Sequence, residues 1–172
     1  MANTNGLKKI VEPDLINSFK QTYGCELISL PSKSIKNIFL EMEPDLIGFD
    51  KENCVLFIGE ITTSGYFGQR GKNFHIGAVR KLAEAFSKFY LFHMEENREK
   101  IFRNIQKVQS NVQPQLLSCH FIVPERSRFI KALGYRERLF QTGIMKLDEL
   151  PISSNAMMVM EETLKKSIDE MS

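Results

Sequence analysis

The sequence predicts one mixed α/β domain, and three observations support this prediction. The chain has 172 residues, of which 42% are hydrophobic and 26% charged, which suits a soluble domain with a single core. Its apolar residues change along the chain between helical and strand spacing. Glycine and proline separate the segments, and no internal repeat or low-complexity stretch is present. We therefore expect a single domain over residues 1–172, with a mixed sheet flanked by helices.

The first half of the chain predicts a helix followed by strands. Pro13 and the apolar residues after it predict a helix over 13–23 that ends at Gly24. Residues 25–30 predict a short strand, and PSKS (31–34) predicts a loop. The next two segments, 45–50 and 54–62, predict a hairpin of two strands around a turn at 51–53.

The second half predicts helices interrupted by two further strands. SGYFGQRGKN (64–73) is polar and rich in glycine, so we expect a mobile loop there. A helix begins near Phe74, and the amphipathic stretch 101–108 either continues it past a break near 94–98 or forms a separate helix. The remaining predicted elements are a buried strand at 115–123, a helix at 127–133, a strand at 138–147 and a helix at 155–170.

Composition narrows the class of protein. No stretch approaches the ~20 continuous apolar residues of a membrane span, and MANTNGLKK lacks the apolar run of a signal peptide. We therefore expect a cytoplasmic location and no membrane partner. The three cysteines, Cys25, Cys54 and Cys119, have no CxxC spacing and lie in apolar segments, so we expect reduced core thiols.

Charge is distributed unevenly along the chain. Residues 1–63 carry 6 basic and 9 acidic side chains, whereas residues 64–110 carry 9 and 4. Residues 125–146 carry 6 basic and 2 acidic side chains, and residues 147–172 carry 2 and 6. The basic middle of the chain suits a polyanion, although solvated helix faces give the same pattern.

The tetrapeptide EPDL occurs twice in different contexts. At 12–15 it is followed by residues with helical spacing, so Pro13 opens a helix and Asp14 favours its positive N-terminus. At 43–46 it opens a strand, where no helix dipole accounts for Asp45. The second copy is therefore the candidate for a functional role.

The hairpin register decides whether Asp45 and Glu60 can meet. A two-residue loop sets position 45 opposite 60, and a four-residue loop that pairs 49 with 54 leaves Glu60 diagonal on the same face. An odd loop without a bulge separates the two side chains. Two neighbouring carboxylates repel unless a cation neutralises them. Mg²⁺, bound by Asp45, Glu60 and the carbonyl of Ile61, suits such a pair and activates a water for attack on a phosphate.

Pro44-Asp45, followed fifteen residues later by Glu60-Ile61-Thr62 at the end of an apolar strand, resembles the PD-(D/E)XK nuclease superfamily. The resemblance covers residues 12–147 and implies a restriction-endonuclease-like fold with an αβββαβ core. It also implies a Mg²⁺ or Mn²⁺ cofactor at Asp45 and Glu60, and a nucleic-acid substrate, with DNA favoured. Because many enzymes of this fold pair their subunits, a homodimer is a further expectation.

One position departs from the family pattern. The family's catalytic lysine is expected two residues after the acid, where this chain has Thr62. A hydroxyl cannot supply the cation that orients the attacking water and stabilises the transition state. Some members of the superfamily carry this lysine on the following helix. We consider Lys81, in a KLAEAF segment that resembles the Gln-Leu-x-x-Tyr helix of recombination nucleases, ahead of Lys72 at the end of the glycine-rich loop.

The resemblance also implies side chains that contact the nucleic acid, and the loop 64–73 would close over the bound strand. These candidates follow the acids in the chain and are Thr62, Thr63, Arg70, Lys72, His75 and Arg80. Three hypotheses result: a metal-dependent nuclease, a nuclease-like binding or assembly protein without catalysis, and an unrelated α/β domain whose hairpin acids have no shared role. Divalent-ion binding distinguishes the first two.

Overall fold

The computed structural model describes residues 5–68 and 74–169. These residues form an α/β fold with a five-stranded sheet, six α-helices, one π-helix and one 3-10 helix. The strands are β1 (Glu26–Leu27), β2 (Leu46–Asp50), β3 (Val55–Ile61), β4 (Leu116–Val123) and β5 (Lys146–Glu149). The helices are α1 (Glu12–Tyr23), α2 (Ser32–Ile38), α3 (Ile76–His93), α4 (Glu95–Val108), α5 (Arg126–Leu133) and α6 (Ser154–Asp169), with a π-helix at Leu7–Val11 and a 3-10 helix at Gly134–Thr142.

The sheet is mixed and its strands follow chain order, β1-β2-β3-β4-β5. The first three strands are antiparallel neighbours, and β3, β4 and β5 run parallel. Parallel neighbours need a crossover, which α3 and α4 supply between β3 and β4. The predicted mixed sheet flanked by helices is therefore confirmed.

Two apolar clusters cover the two faces of the sheet. On one face, α2 to α5 pack on the side chains of Ile47, Phe49, Leu56 and Ile58. On the other face, the π-helix, α1 and α6 pack on the neighbouring positions, which include Leu46, Phe57 and Ile61. The alternation along β2 and β3 follows from the period of two in a strand. It assigns Glu60, two residues after Ile58, to the face that α3 covers.

A buried hydrogen-bonded network joins α1 to the parallel strands. His120 is fully buried, and its Nδ1 lies 2.5 Å from Asp148 Oδ2 while its Nε2 lies 2.8 Å from Ser118 Oγ. The Tyr23 hydroxyl donates to Asp148 Oδ1 at 2.7 Å, and burial with this bond raises the pKa of Tyr23. The rings of Phe19, Tyr23 and Phe57 surround the imidazole. Both ring nitrogens of this core histidine therefore have a hydrogen-bond partner.

Three sequence-predicted elements need correction. PSKS was predicted as a loop, but Pro31 is the N-cap of α2, and its carbonyl accepts the amides of Ser34 and Ile35. The strand predicted over 25–30 is limited to Glu26–Leu27, and the Ile28 amide makes one further bond to the Ile47 carbonyl. The strand predicted over 138–147 is a 3-10 helix up to Thr142, and strand pairing begins at Lys146. Adjacent apolar residues at 139 and 140 pack on the same apolar cluster, whereas a strand directs neighbouring side chains to opposite faces of the sheet.

The second amphipathic stretch forms the separate helix α4, since Met94 has extended backbone angles and breaks the run after α3. Part of the predicted loop 64–73 is also described. Residues 64–67 form a turn, whereas positions 69–73, including Arg70 and Lys72, lie outside the described residues. Over residues 5–68 and 74–169, no helix combines the length and the apolar character that a membrane span requires.

Candidate functional site

Asp45 and Glu60 lie side by side at one end of the β2–β3 hairpin. Asp50 pairs with Val55 and Leu46 pairs with Gly59, so continuing this register sets position 45 opposite position 60. The loop between the paired residues has four positions, 51–54, and its even length keeps the two acids on one face. The Asp45 carboxylate also accepts the Ile61 amide, at 2.9 Å through Oδ2. This bond holds Asp45 against the end of β3.

A cleft of about 650 Å³ opens at this end of the hairpin. Asp45 and Glu60 line it from the sheet, and Lys81 and Lys88 line it from α3. A second cleft of about 300 Å³ contains Asp45 and Lys81 again, together with the residues that follow β3 and with Glu12 of α1. Asp45, Glu60, Lys81 and Lys88 therefore share one region of the surface.

Lys88 is the cation that lies closest to Glu60. Its Nζ is 2.5 Å from Glu60 Oε1 and 2.8 Å from the carbonyl oxygen of Glu43. Both side chains of this pair are largely buried, with 17% of Lys88 and 13% of Glu60 exposed. An ion pair at this depth is screened far less than one on the surface. Lys81 and Lys72 are the lysines that the sequence pattern indicated, and Lys88 was missed.

The register of α3 explains the position of Lys88. The buried side of this helix consists of Ala78, Leu82, Ala85, Phe89 and Phe92. Lys81 and Lys88 are seven residues apart, which is two helical turns, so they share a face at the edge of the buried stripe. This spacing was visible in the sequence. Which turn of α3 reaches Glu60 depends on packing across the sheet, which the sequence pattern does not contain.

The pKa of Glu60 is raised from 4.5 to about 7. Burial is the largest cause, and the neighbouring Asp45 charge adds to it, while Lys88 and then Lys81 act in the opposite direction. Desolvation and like charge both disfavour a carboxylate. The ion pair with Lys88 is therefore too weak to offset burial, and the charge of ionised Glu60 is compensated only in part.

Glu12 is a third acid near the pair. Its pKa is raised by burial and by the charge of Asp45, and it is lowered by Lys8 and Lys81. The first EPDL copy thus has two roles. Asp14 accepts the Ser153 amide at 2.6 Å, and Glu12 contributes to the cleft. From the sequence this copy was predicted to be structural only, and the role of Glu12 was missed.

The other predicted contact residues have different surroundings. Thr62 is 5% exposed, and its hydroxyl oxygen accepts the Ser64 amide. Thr63 is half-buried and lines the smaller cleft. His75 is the N-cap of α3, where its Nδ1 accepts the Ala78 amide. Arg80 is exposed and pairs with Glu84 at 2.9 Å. Of these four, Thr63 is the one with a side chain both partly exposed and beside the acids.

The donor set suits a hard divalent ion that keeps several of its waters. No group of three or more His, Cys, Asp or Glu residues within 5–68 and 74–169 is spaced to hold a metal. Mg²⁺, however, is commonly bound through only one or two carboxylates. The hydrogen bonds described above use Asp45 Oδ2 and Glu60 Oε1, so each carboxylate has a second oxygen for a ligand.

Comparisons with known proteins identify no relative from which a function could be inferred. No protein-family model matches the chain, and neither a curated protein nor a solved structure shows significant similarity to it. The interpretation of the cleft therefore depends on its own chemistry.

Proposed function

We propose that this protein is a metal-dependent nuclease of the PD-(D/E)XK type that hydrolyses phosphodiester bonds of nucleic acid, with DNA as the first substrate to test. One observation carries the proposal: Asp45 and Glu60 share a cleft with a buried lysine, and the pKa of Glu60 is raised to about 7. A phosphodiester nuclease needs acids for a metal and a cation for the phosphate, and the cleft contains both types of group.

Asp45 and Glu60 are the residues that would hold Mg²⁺ or Mn²⁺, with the Ile61 carbonyl as the additional ligand that the resemblance implies. A divalent ion in such a site lowers the pKa of its bound water and neutralises developing charge on the phosphate. It would also offset the repulsion from Asp45 that, after burial, raises the pKa of Glu60. Metal binding is therefore expected to favour the ionised form of Glu60.

Lys88 takes the role that the family assigns to the lysine two residues after the acid. An ammonium group has three donors, and Lys88 uses two of them on Glu60 and on the carbonyl of Glu43. The third donor is available to an attacking water or to a phosphate oxygen. Lys81 is exposed and lines both clefts, so it is placed to contact the strand beside the scissile phosphate.

A second candidate is a nuclease-like binding or assembly protein without catalysis. The contact that favours it is the Lys88–Glu60 pair, because an ammonium group 2.5 Å from the carboxylate partly neutralises the acid without a metal. The raised pKa of Glu60 argues against it, since this neutralisation is incomplete.

A plasmid-nicking assay with Mg²⁺ or Mn²⁺ separates the two candidates. We expect the wild type to nick supercoiled DNA and Asp45→Ala to lose this activity. Lys51→Ala is the control, because Lys51 is an exposed residue in the turn at the far end of the same hairpin. Nicking that survives Asp45→Ala, or that needs no divalent ion, would contradict the nuclease proposal.

A further inference from the structure

A cluster of exposed aromatic rings and arginines lies beside the N-terminus of α3, outside the acidic cleft. Phe74 and Tyr135 form an edge-on pair with ring centroids 6.2 Å apart. The guanidinium of Arg136 lies over both rings, 4.6 Å from the centroid of Tyr135 and 5.2 Å from that of Phe74. We call Phe74, Tyr135 and Arg136 the aromatic–arginine patch.

The ring of Phe74 in this patch packs directly against the backbone of Gly134. Gly134 has a φ of +60°, and a Cβ there would lie only 2.2 Å from the Phe74 ring. Only glycine combines this backbone conformation with so close an approach. The ring of Phe74 is therefore seated directly on the backbone where α5 passes into the 3-10 helix, while Tyr135 extends outwards with 63% of its surface exposed.

Exposure distinguishes this cluster from core packing. Tyr135 is more exposed than any other aromatic side chain of the described residues, and the neighbouring Ile76 is 84% exposed. A large exposed aromatic with an arginine on one face leaves its other face for a planar ligand. Arg136 Nη1 is buried and has no hydrogen-bond partner within the described residues, so the centre of the patch retains unused donor capacity.

The surrounding charge is positive. Residues 126–138 carry five cationic side chains, namely Arg126, Arg128, Lys131, Arg136 and Arg138, against the single acid Glu137. A second aromatic–arginine pair adjoins them, in which the Arg128 guanidinium lies 5.5 Å from the centroid of Tyr66, next to the exposed ring of Phe67. Arginines beside exposed rings match a ligand that has both phosphates and planar bases.

The patch and the candidate site lie on the same face of the sheet, because α3 and α5 belong to the same apolar cluster. At about 1.5 Å of helix rise per residue, Lys81 lies about 8 Å and Lys88 about 18 Å along the axis of α3 from Ile76. At about 3.4 Å per nucleotide of a base-stacked strand, this span corresponds to roughly two to five nucleotides, and an extended strand needs fewer. One strand could therefore contact the patch and the acids together.

We propose that the aromatic–arginine patch binds an unpaired nucleotide by stacking its base on Tyr135, so that the substrate class is nucleic acid with a single-stranded segment. In a duplex the base faces are covered by neighbouring base pairs, whereas an unpaired base offers its face to an aromatic ring. The proposal rests on the proposed nuclease function for the reason to bind nucleic acid, but the binding itself requires no metal and no catalysis.

The test is fluorescence anisotropy in EDTA with a labelled oligothymidine of about 15 nucleotides, a length within the range of single-strand sites. A blunt duplex of equal length and phosphatidylserine vesicles are the competing ligands. We expect tighter binding of the single strand, and Tyr135→Ala to weaken it by about 5- to 100-fold, as the loss of one stacked base does. Tyr135→Phe keeps the ring and is expected to bind like the wild type.

Equal affinity of Tyr135→Ala and the wild type for the oligonucleotide would overturn the proposal, even if the protein nicks DNA. An equal loss for the duplex would also overturn it, as would a loss confined to the vesicles. A loss specific to the single strand would support it even if no metal-dependent cleavage is found. Circular dichroism on both variants confirms that each is folded, and the exposed position of Tyr135 favours this.

Discussion

At the scale of single residues, ionising the buried carboxyl of Glu60 costs the folded protein free energy. Its carboxyl is held among buried groups at the end of β3, and its pKa of about 7 exceeds the usual 4.5. At about 1.4 kcal/mol per pKa unit, the ionised form costs the fold about 3 kcal/mol. A group that destabilises its own protein in this way is typical of functional sites, where charge is held ready for a ligand.

The pH dependence of stability tests this cost. Below pH 4.5 Glu60 is protonated in both the folded and the unfolded state, so it contributes nothing. Between pH 4.5 and about 7 the folded state binds more protons than the unfolded state, and stability therefore falls as the pH rises. Above pH 7 the full cost is present. We expect Glu60→Gln to stabilise the metal-free protein at pH 8 by on the order of 2–3 kcal/mol and to have little effect at pH 4.

Urea unfolding across this pH range measures the difference. Glu52→Gln in the exposed hairpin turn is the matched control for removing a glutamate charge. A Glu60→Gln profile parallel to that of the wild type would show that the carboxyl carries no such cost.

Lys88 gives a second prediction at this scale. Removing its ammonium takes away the contact that lowers the pKa of Glu60, so Lys88→Ala should raise that pKa further. The pH range over which stability falls should therefore extend upwards. If Lys88 also serves the phosphate, Lys88→Ala should reduce nicking by about 10²- to 10³-fold, the usual effect of losing one transition-state donor.

Lys81→Ala and Lys51→Ala are the comparison variants in the same nicking assay. We expect a smaller loss for Lys81, which is exposed, and none for Lys51, which is distant from the cleft. A Lys88→Ala protein that nicks at the wild-type rate would return the catalytic role to Lys81 or Lys72.

At the scale of elements, the hairpin and α3 determine the site. The hairpin could be predicted from sequence because its two apolar runs, its polar turn and its following glycines are all local signals. The pairing of Asp45 with Glu60 followed from an even loop, which the sequence allowed but did not decide. Helix α2 and the 3-10 helix at Gly134–Thr142 were missed because both segments are shorter than the roughly 11 residues over which helical spacing of apolar residues is recognised.

Gly65 lies in the turn after β3, where the chain packs closely against α3 and α5. Its φ is +86°, and a Cβ at this position would lie 2.9 Å from the Ala78 side chain and 3.1 Å from that of Ala132. Gly65→Ala should therefore combine the cost of a left-handed backbone, about 1–2 kcal/mol, with an overpacking cost of about 1–3 kcal/mol.

Gly24→Ala is the control for this substitution. Gly24 has a φ of +61° and nothing within 4 Å of an added Cβ, so it should lose only the backbone contribution. Chemical denaturation of both variants gives the packing cost by difference. Equal losses would show that α3 can shift away from Gly65 without cost.

At the scale of the whole molecule, the two sheet faces have different roles. The face covered by α1 and α6 has the buried His120–Asp148 network, which joins helices to the parallel strands. The face covered by α3 and α5 carries the acids at one end and the aromatic–arginine patch near the start of α3. Part of the basic middle of the sequence, Lys81 and Lys88 of α3, lines the cleft together with the acids.

Calorimetric titration of Mn²⁺ and Mg²⁺ at pH 8 tests most directly whether Asp45 and Glu60 bind a divalent ion. We expect one saturable site in the wild type, and Asp45→Ala should abolish it while Lys51→Ala leaves it intact. Binding should release protons at pH 6.5, because Glu60 must ionise to accept the metal. No binding at millimolar ion concentration, or equal binding by Asp45→Ala, would contradict the metal site.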